Sequence, residues 1–240
     1  SRGLGDVYKR QYGLSATVHR SDGLIQSTFA VLGEVQYQVP EEAVSEKTMT
    51  VKVLRRQTGI KINRYCLDTD GTLIYSKLIE YLTIHRGRNE LIVRDLVDNQ
   101  EHCNLILSDR LLHLQQIMAS LPIEIRKYAA MIDGRMTSQK ARAEREQAIE
   151  DMKAGRKKYL FASYNLAKEG LDIPCLDRLY MATPKKDYAV VTQSIGRIAR
   201  TADGKKDAVC YDYVDDIAFC ENQWKRRKTS YRKARCEIRE

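Results

Sequence analysis

From residue 102 onward, short apolar runs alternate with longer amphipathic ones, and this restricts the chain to one kind of architecture. Asn104–Leu107, Tyr128–Ile132, Tyr159–Ala162, Leu176–Met181 and Ala208–Tyr213 are each four to six residues long, the length of buried strands. Arg110–Leu121, Thr137–Ala154 and Tyr188–Ala199 lie between them at helix length, and Asp215–Arg235 reads as a last helix. Pro122 ends the first helix. Ser138 can cap the second and Gly155 closes it, with Lys153 and Arg156 at its negative end. Strand–helix–strand units cross over with right-handed connections, so the pattern predicts an α/β fold with a parallel sheet covered on both faces. Ligands of such sheets gather at the carboxyl ends of the strands.

The upstream pattern is mixed. Leu24–Leu32 predicts a short helix, and Glu34–Val39 and Thr48–Leu54 alternate like strands. Asp70-Gly71 marks a turn, and Ile74–Thr83 and Asn89–Asp98 predict amphipathic helices. Residues 46–100 are expected to connect domains, and residues 101–240 to form the main domain with a basic C-terminal helix. Residues 1–10 carry no apolar period and begin with Ser, and they read as a translated artefact of sequence assembly.

Composition narrows the class. At 43% hydrophobic and 30% charged residues, the 240-residue chain matches soluble globular domains. It has no apolar run long enough for a transmembrane helix and no secretory pattern, so no membrane partner and a cytoplasmic location are expected. The formal charge of +9 favours a polyanionic partner, nucleic acid first. The six cysteines form no CxxC pair and have no His at zinc spacing; free thiols and no metal site are expected.

Three segments carry chemistry. In Gln193-Ser194-Ile195-Gly196-Arg197-Ile198-Ala199-Arg200, both arginines and Gln193 fall on one helical face, and Gly196 permits close approach. Side-by-side guanidiniums suit an anion such as a triphosphate, although a solvated basic face has the same spacing. Ser163-Tyr164-Asn165-Leu166-Ala167-Lys168-Glu169-Gly170-Leu171-Asp172-Ile173-Pro174 follows a strand, where Ser163 can meet phosphate and Gly170 can turn Asp172 back; a plain helix cap is the alternative. Ser15-Ala16-Thr17 places small hydroxyls in a loop. Residues 221–240 hold eight Lys or Arg against three Glu, with Trp224 and Tyr231 interleaved. They suit either nucleic-acid stacking or a charged helix whose Trp packs on the core.

Taken in order, Gly13-Leu14-Ser15-Ala16-Thr17, Leu166–Pro174 and Gln193–Arg200 resemble the SAT, fifth and QxxGRxxR sixth motifs of superfamily 2 helicases. Ile106-Leu107-Ser108-Asp109-Arg110 is similar to the fourth motif, and Asp133-Gly134 resembles a loop that the family sets against nucleic acid. The resemblance covers roughly residues 12–215 and implies a RecA-like C-terminal motor domain, with residues 11–45 a remnant of the first RecA-like domain. The wording is closer to the DNA-repair and phage branch than to the DEAD-box RNA branch, whose sixth motif begins with His. It implies that Arg197 and Arg200 contact the γ-phosphate of ATP, with Arg200 the finger. Gln193, Gly196, Gly170 and Asp172 would line the ATP cleft. Ser108, Asp109, Gly134 and Ser163 would bind the strand, and Ser15 and Thr17 would couple hydrolysis to movement.

The departures are specific. No GxxxxGKS or GxxxxGKT sequence and no acidic DExH-type box occurs in the chain, so ATP and Mg2+ are expected to bind mainly on a first domain missing from it. The expected function is a fragment of an ATP-dependent DNA helicase or translocase, inactive as an ATPase alone. A non-catalytic nucleic-acid-binding or regulatory module on the same fold is the alternative.

Overall fold

The computed structural model describes residues 13–14, 24–38, 48–132, 138–168 and 171–240. Ser15, Thr17, Asp133, Gly134 and Gly170 lie outside the described residues. The chain divides into two units, Ser1–Val44 and Ser45–Glu240. In the first, helix α1 spans Ile25–Leu32 as expected. Residues 34–38, expected to be extended, form no strand: their alternation has no partner strand within the described part of that unit.

The second unit is built on one parallel sheet. Its strands are β1 (Val51–Gln57), β2 (Asn104–Ser108), β3 (Ala129–Ile132), β4 (Tyr159–Ser163), β5 (Arg178–Met181), β6 (Ala208–Val214) and β7 (Glu237–Arg239), in the order β3-β4-β2-β5-β6-β1-β7. Every pairing is parallel. The helices are α2 (Tyr75–Ile84), α3 (Arg86–Asp98), α4 (Leu111–Ser120), α5 (Ile123–Arg126), α6 (Gln139–Lys153), α7 (Tyr164–Lys168), α8 (Tyr188–Ala199) and α9 (Ala218–Lys233). Ser138 caps α6 by accepting from the Ala141 amide, as predicted. Gly71 and Gly155 take left-handed φ angles of 82° and 71°, which suit the turn and the helix stop expected there.

Side chains alternate across the sheet, so each apolar run feeds two cores. Leu105, Leu107, Leu160, Ala162, Leu179 and Met181 pack with Met152 of α6, Val191 and Ile195 of α8 and Trp224 of α9. Ile106, Phe161 and Tyr180 face the other way, onto Ile92 and Leu96 of α3 and Leu114 and Ile117 of α4. This is a RecA-like α/β fold with helices on both faces.

Residues 46–100 do not merely connect. They fall within the unit Ser45–Glu240, and β1 pairs with β6 along its whole length. The reason lies in non-local pairing: Val51 and Val53 are buried because Ala208–Val214 and β7 flank them. Trp224 and Tyr231 are also buried, at 2% and 0% exposure, so the stacking option for α9 is excluded and its aromatics serve the core.

Candidate functional site

The chemistry-bearing segments divide between opposite edges of the sheet. Asp109, Ser163, Tyr164 and Thr183 stand at or just past the carboxyl ends of β2, β4 and β5. Arg200, Lys205 and Leu176 stand on the amino side: Thr48, just before β1, bridges Arg200, and Lys205 and Leu176 precede β6 and β5. The candidate ligand residues therefore do not all stand at the carboxyl ends, where such sheets gather their ligands. Helix α7 begins at the carboxyl end of β4, residues 171–177 lead into the amino end of β5, and helix α8 runs from the carboxyl end to the amino end.

At the amino edge, the two arginines do not share a helical turn as the spacing predicted. Helix α8 ends at Ala199, and Arg200 is its C-cap with extended angles, φ −64° and ψ 138°. Two contacts stop the helix. The Met49 amide donates to the Ala199 carbonyl at 2.6 Å. The Lys205 ammonium donates to the carbonyls of Leu176 at 2.7 Å, Ile198 at 2.6 Å and Arg200 at 2.6 Å. A cation here meets both the unpaired terminal carbonyls and the negative end of the helix dipole. Burial nevertheless pulls the Lys205 pKa below its usual value. No separate sequence signal marked Lys205; it looked like one basic residue among many.

Arg197 is half-buried. Its Nε donates to Ala167 O at 2.9 Å and its Nη1 reaches Leu171 O at 3.4 Å, which ties α8 to the fifth-motif segment. Burial, then the neighbouring Arg200, lowers the Arg197 pKa. Arg200 pairs with the Asp172 carboxylate, and both side chains stay open to solvent, at 43% and 69% exposure. Gly196 is exposed, and a Cβ there would meet nothing within 4 Å, so no packing inside the chain requires glycine. The Gln193 Oε1 is buried and has no hydrogen-bond partner among the described residues.

The carboxyl edge is held by a cross-strand lattice. Asp109 forms an ion pair with Lys185 at 2.6 Å, and its amide donates to Thr183 Oγ1 at 3.0 Å. The Tyr164 hydroxyl donates to Thr183 O at 2.8 Å, and the Lys185 ammonium lies 5.2 Å from the Tyr164 ring centre. Ser163 is half-buried, and Arg110 and Lys186, next in sequence to the paired Asp109 and Lys185, are exposed. Ser108 contradicts its expected strand contact. It is fully buried, its hydroxyl sits 3.0 Å from His113 Nδ1, and it accepts from the Arg110 amide at 3.1 Å. The β2 run is buried on both faces, so Ser108 points inward and caps the turn.

His113 is fixed as a neutral ring. Asn89 Nδ2 donates to Thr83 O, which leaves Asn89 Oδ1 to accept from His113 Nε2 at 2.9 Å. Burial, then the positive charge of Arg88, pushes the His113 pKa down to about 3.

The parallel seven-stranded sheet thus presents an arginine pair at one end of its strands and a polar lattice at the other. The family model described as "Helicase conserved C-terminal domain" matches residues 78–202, more than half of the chain, and the chain belongs to that family. It is 26% identical over 256 aligned residues to a protein of Acanthamoeba polyphaga mimivirus provisionally named an ATP-dependent RNA helicase, covering 99% of this chain and 46% of the relative. It is 24% identical over 213 residues to a provisionally named helicase of Sulfolobus islandicus filamentous virus, covering 84% of this chain and 37% of the relative. The chain therefore spans less than half the length of these curated relatives. Among solved structures it resembles S. cerevisiae Dbp5 bound to RNA and ADP BeF3, at 15% identity and TM-score 0.60, over 92% of this chain and 49% of that one.

Proposed function

We propose that this chain is the second motor domain of an ATP-driven helicase or translocase, and that its two edges divide the work. The amino edge meets the nucleotide and the carboxyl edge grips the strand. The observation that carries the reading is the Arg200–Asp172 pair, an exposed guanidinium already holding an oxyanion beside the anchored Arg197. Exchange of the Asp172 carboxylate for a γ-phosphate gives the guanidinium another oxyanion and frees Asp172. These residues fit a nucleotide phosphate. They do not fit the magnesium ion: among the described residues, no cluster of three His, Cys, Asp or Glu could hold a metal. The sequence also holds no GxxxxGKS, GxxxxGKT or DExH-type motif, so we assign magnesium and the phosphate cradle to another part of the protein and expect the 240-residue chain alone to turn over no ATP.

Arg197 contributes rigidity. Its bonds to Ala167 O and Leu171 O join α8 to the segment that begins at Ser163, on the other edge. A shift of Arg200 is passed to the strand-facing end through that segment. Grip through phosphates makes such a motor largely indifferent to sequence.

DNA is the strand we propose, on Gln193 in place of the RNA branch's His. The RNA named for the mimivirus relative and for Dbp5 favours RNA as a second reading. The test uses the gene product that carries this chain. Arg200→Ala should cut strand-stimulated ATP turnover by roughly a thousandfold or more, the usual worth of an arginine finger. Turnover unchanged in that variant overturns the nucleotide role. Competition between single-stranded DNA and RNA of one sequence decides the strand.

A further inference from the structure

Two thiols stand against each other at the amino edge, outside every role given above. Cys103 precedes β2 and Cys175 precedes β5, two neighbouring strands whose first residues pair as Asn104 with Arg178. The amides of Asp177 and Arg178 both donate to Cys103 O, at 3.0 and 3.2 Å, so the sheet itself fixes the distance between the two cysteines. Their sulfurs are 2.7 Å apart. Both residues are partly exposed, whereas Cys66, Cys210 and Cys220 are buried. Cys236, also partly exposed, has its sulfur on the Ala234 carbonyl of its own turn.

We propose that Cys103 and Cys175 form a reactive dithiol that a peroxide converts to a reversible disulfide. Either sulfur can donate the hydrogen bond between them, and the Cys175 sulfur also lies 3.5 Å from the Met152 carbonyl. The Lys205 ammonium favours the thiolate form of either cysteine, against the Asp177 carboxylate. The thiolate of one cysteine attacks one oxygen of hydrogen peroxide. An S–O bond forms, the O–O bond breaks, and hydroxide leaves to become water. The sulfur of the other cysteine, giving up its proton, then attacks the oxidised sulfur and expels the second hydroxide as water. Two thiols are oxidised and one peroxide is reduced to two waters.

The disulfide would join residues 72 apart in sequence and clamp the Leu171–Asp177 segment to β2. That segment carries Asp172, the partner of Arg200. The chemistry does not depend on the nucleotide reading, and it is tested on the chain as it stands.

The reduced chain is treated with stoichiometric hydrogen peroxide and mapped by mass spectrometry under non-reducing conditions. The expected result is one cross-linked peptide joining Cys103 and Cys175, lost on addition of a dithiol reductant. In Cys103→Ser and in Cys175→Ser, dimedone should label the cysteine that remains. Oxidation of Cys236 without the Cys103–Cys175 cross-link overturns the proposal, as does the absence of label on the remaining cysteine in both variants. The wild-type cross-link needs no variant to fold.

Discussion

Acidification should strike this domain first at His113, and the structure gives the size of the effect. The ring is buried at 1% exposure, its Nε2 faces Asn89 and its Nδ1 faces Ser108. The nearest charge that acts on it, Arg88, is positive. Its pKa is about 3 in the fold and about 6.5 in the open chain. Between those values the unfolded chain binds more protons than the folded one, so stability falls as pH falls. The contribution is complete above about pH 6.5 and is lost through about pH 3. At ~1.4 kcal/mol per unit, the full loss is roughly 4–5 kcal/mol, with about 3 kcal/mol gone near pH 4.5. The assay is urea denaturation of wild type and His113→Gln at pH ~7 and pH ~4.5. Gln can still donate and accept but does not titrate, so the acid response of all other groups cancels in the comparison. Wild type should lose about 3 kcal/mol more than the variant. Equal losses would refute the buried neutral histidine. The same titration would loosen the turn that orders Asp109 and Arg110, because Ser108 links the ring to the Arg110 amide.

Two further outcomes follow from the packing. Lys205→Met removes a cation that caps three carbonyls, and should cost about 2 kcal/mol, with faster hydrogen exchange at residues 198–202 than in the sheet. A loss under about 0.5 kcal/mol, or exchange that rises evenly everywhere, would show that Arg200 is held by something else. Trp224→Ala should cost roughly 3–5 kcal/mol of stability, since the ring is buried against Tyr231 and Arg55. Weaker strand binding at unchanged stability would restore the stacking role that burial denies it.

Where local pattern decides structure, the sequence was readable. The run Asn104–Leu107 is buried on both faces, and helix α8 has the predicted limits, Tyr188 and Ala199. Where long-range pairing decides it, the sequence was silent. β1 is recognisable in the sequence as extended chain, but its partner β6 lies some 150 residues downstream, so local pattern alone shows it as part of a connector. β7, Glu237–Arg239, is three residues of mixed polarity and carries no period at all. Its three-residue spacing from Arg197 puts Arg200 on the α8 face, but Arg200 is one residue past the helix end and takes extended angles there, while Lys205 and Met49 hold the last carbonyls. Ser108 was read as a strand contact from its motif, while the buried neighbours on both sides of β2 turn its hydroxyl inward. The separation of the arginines from the polar strand ends is not legible in the sequence either, because it depends on the end of the sheet at which residues 171–177 and the close of α8 come to lie.

That separation is best tested by measuring ATP turnover and strand affinity side by side in the complete gene product, for Arg200→Ala and for the double variant Arg110→Ala and Lys186→Ala. Arg200→Ala should lose turnover and bind the strand with near wild-type affinity. The double variant should bind more weakly, with its salt slope reduced by about 1–2, as two lost phosphate contacts require. If each variant lowers both quantities in equal proportion, the two edges do not divide the work.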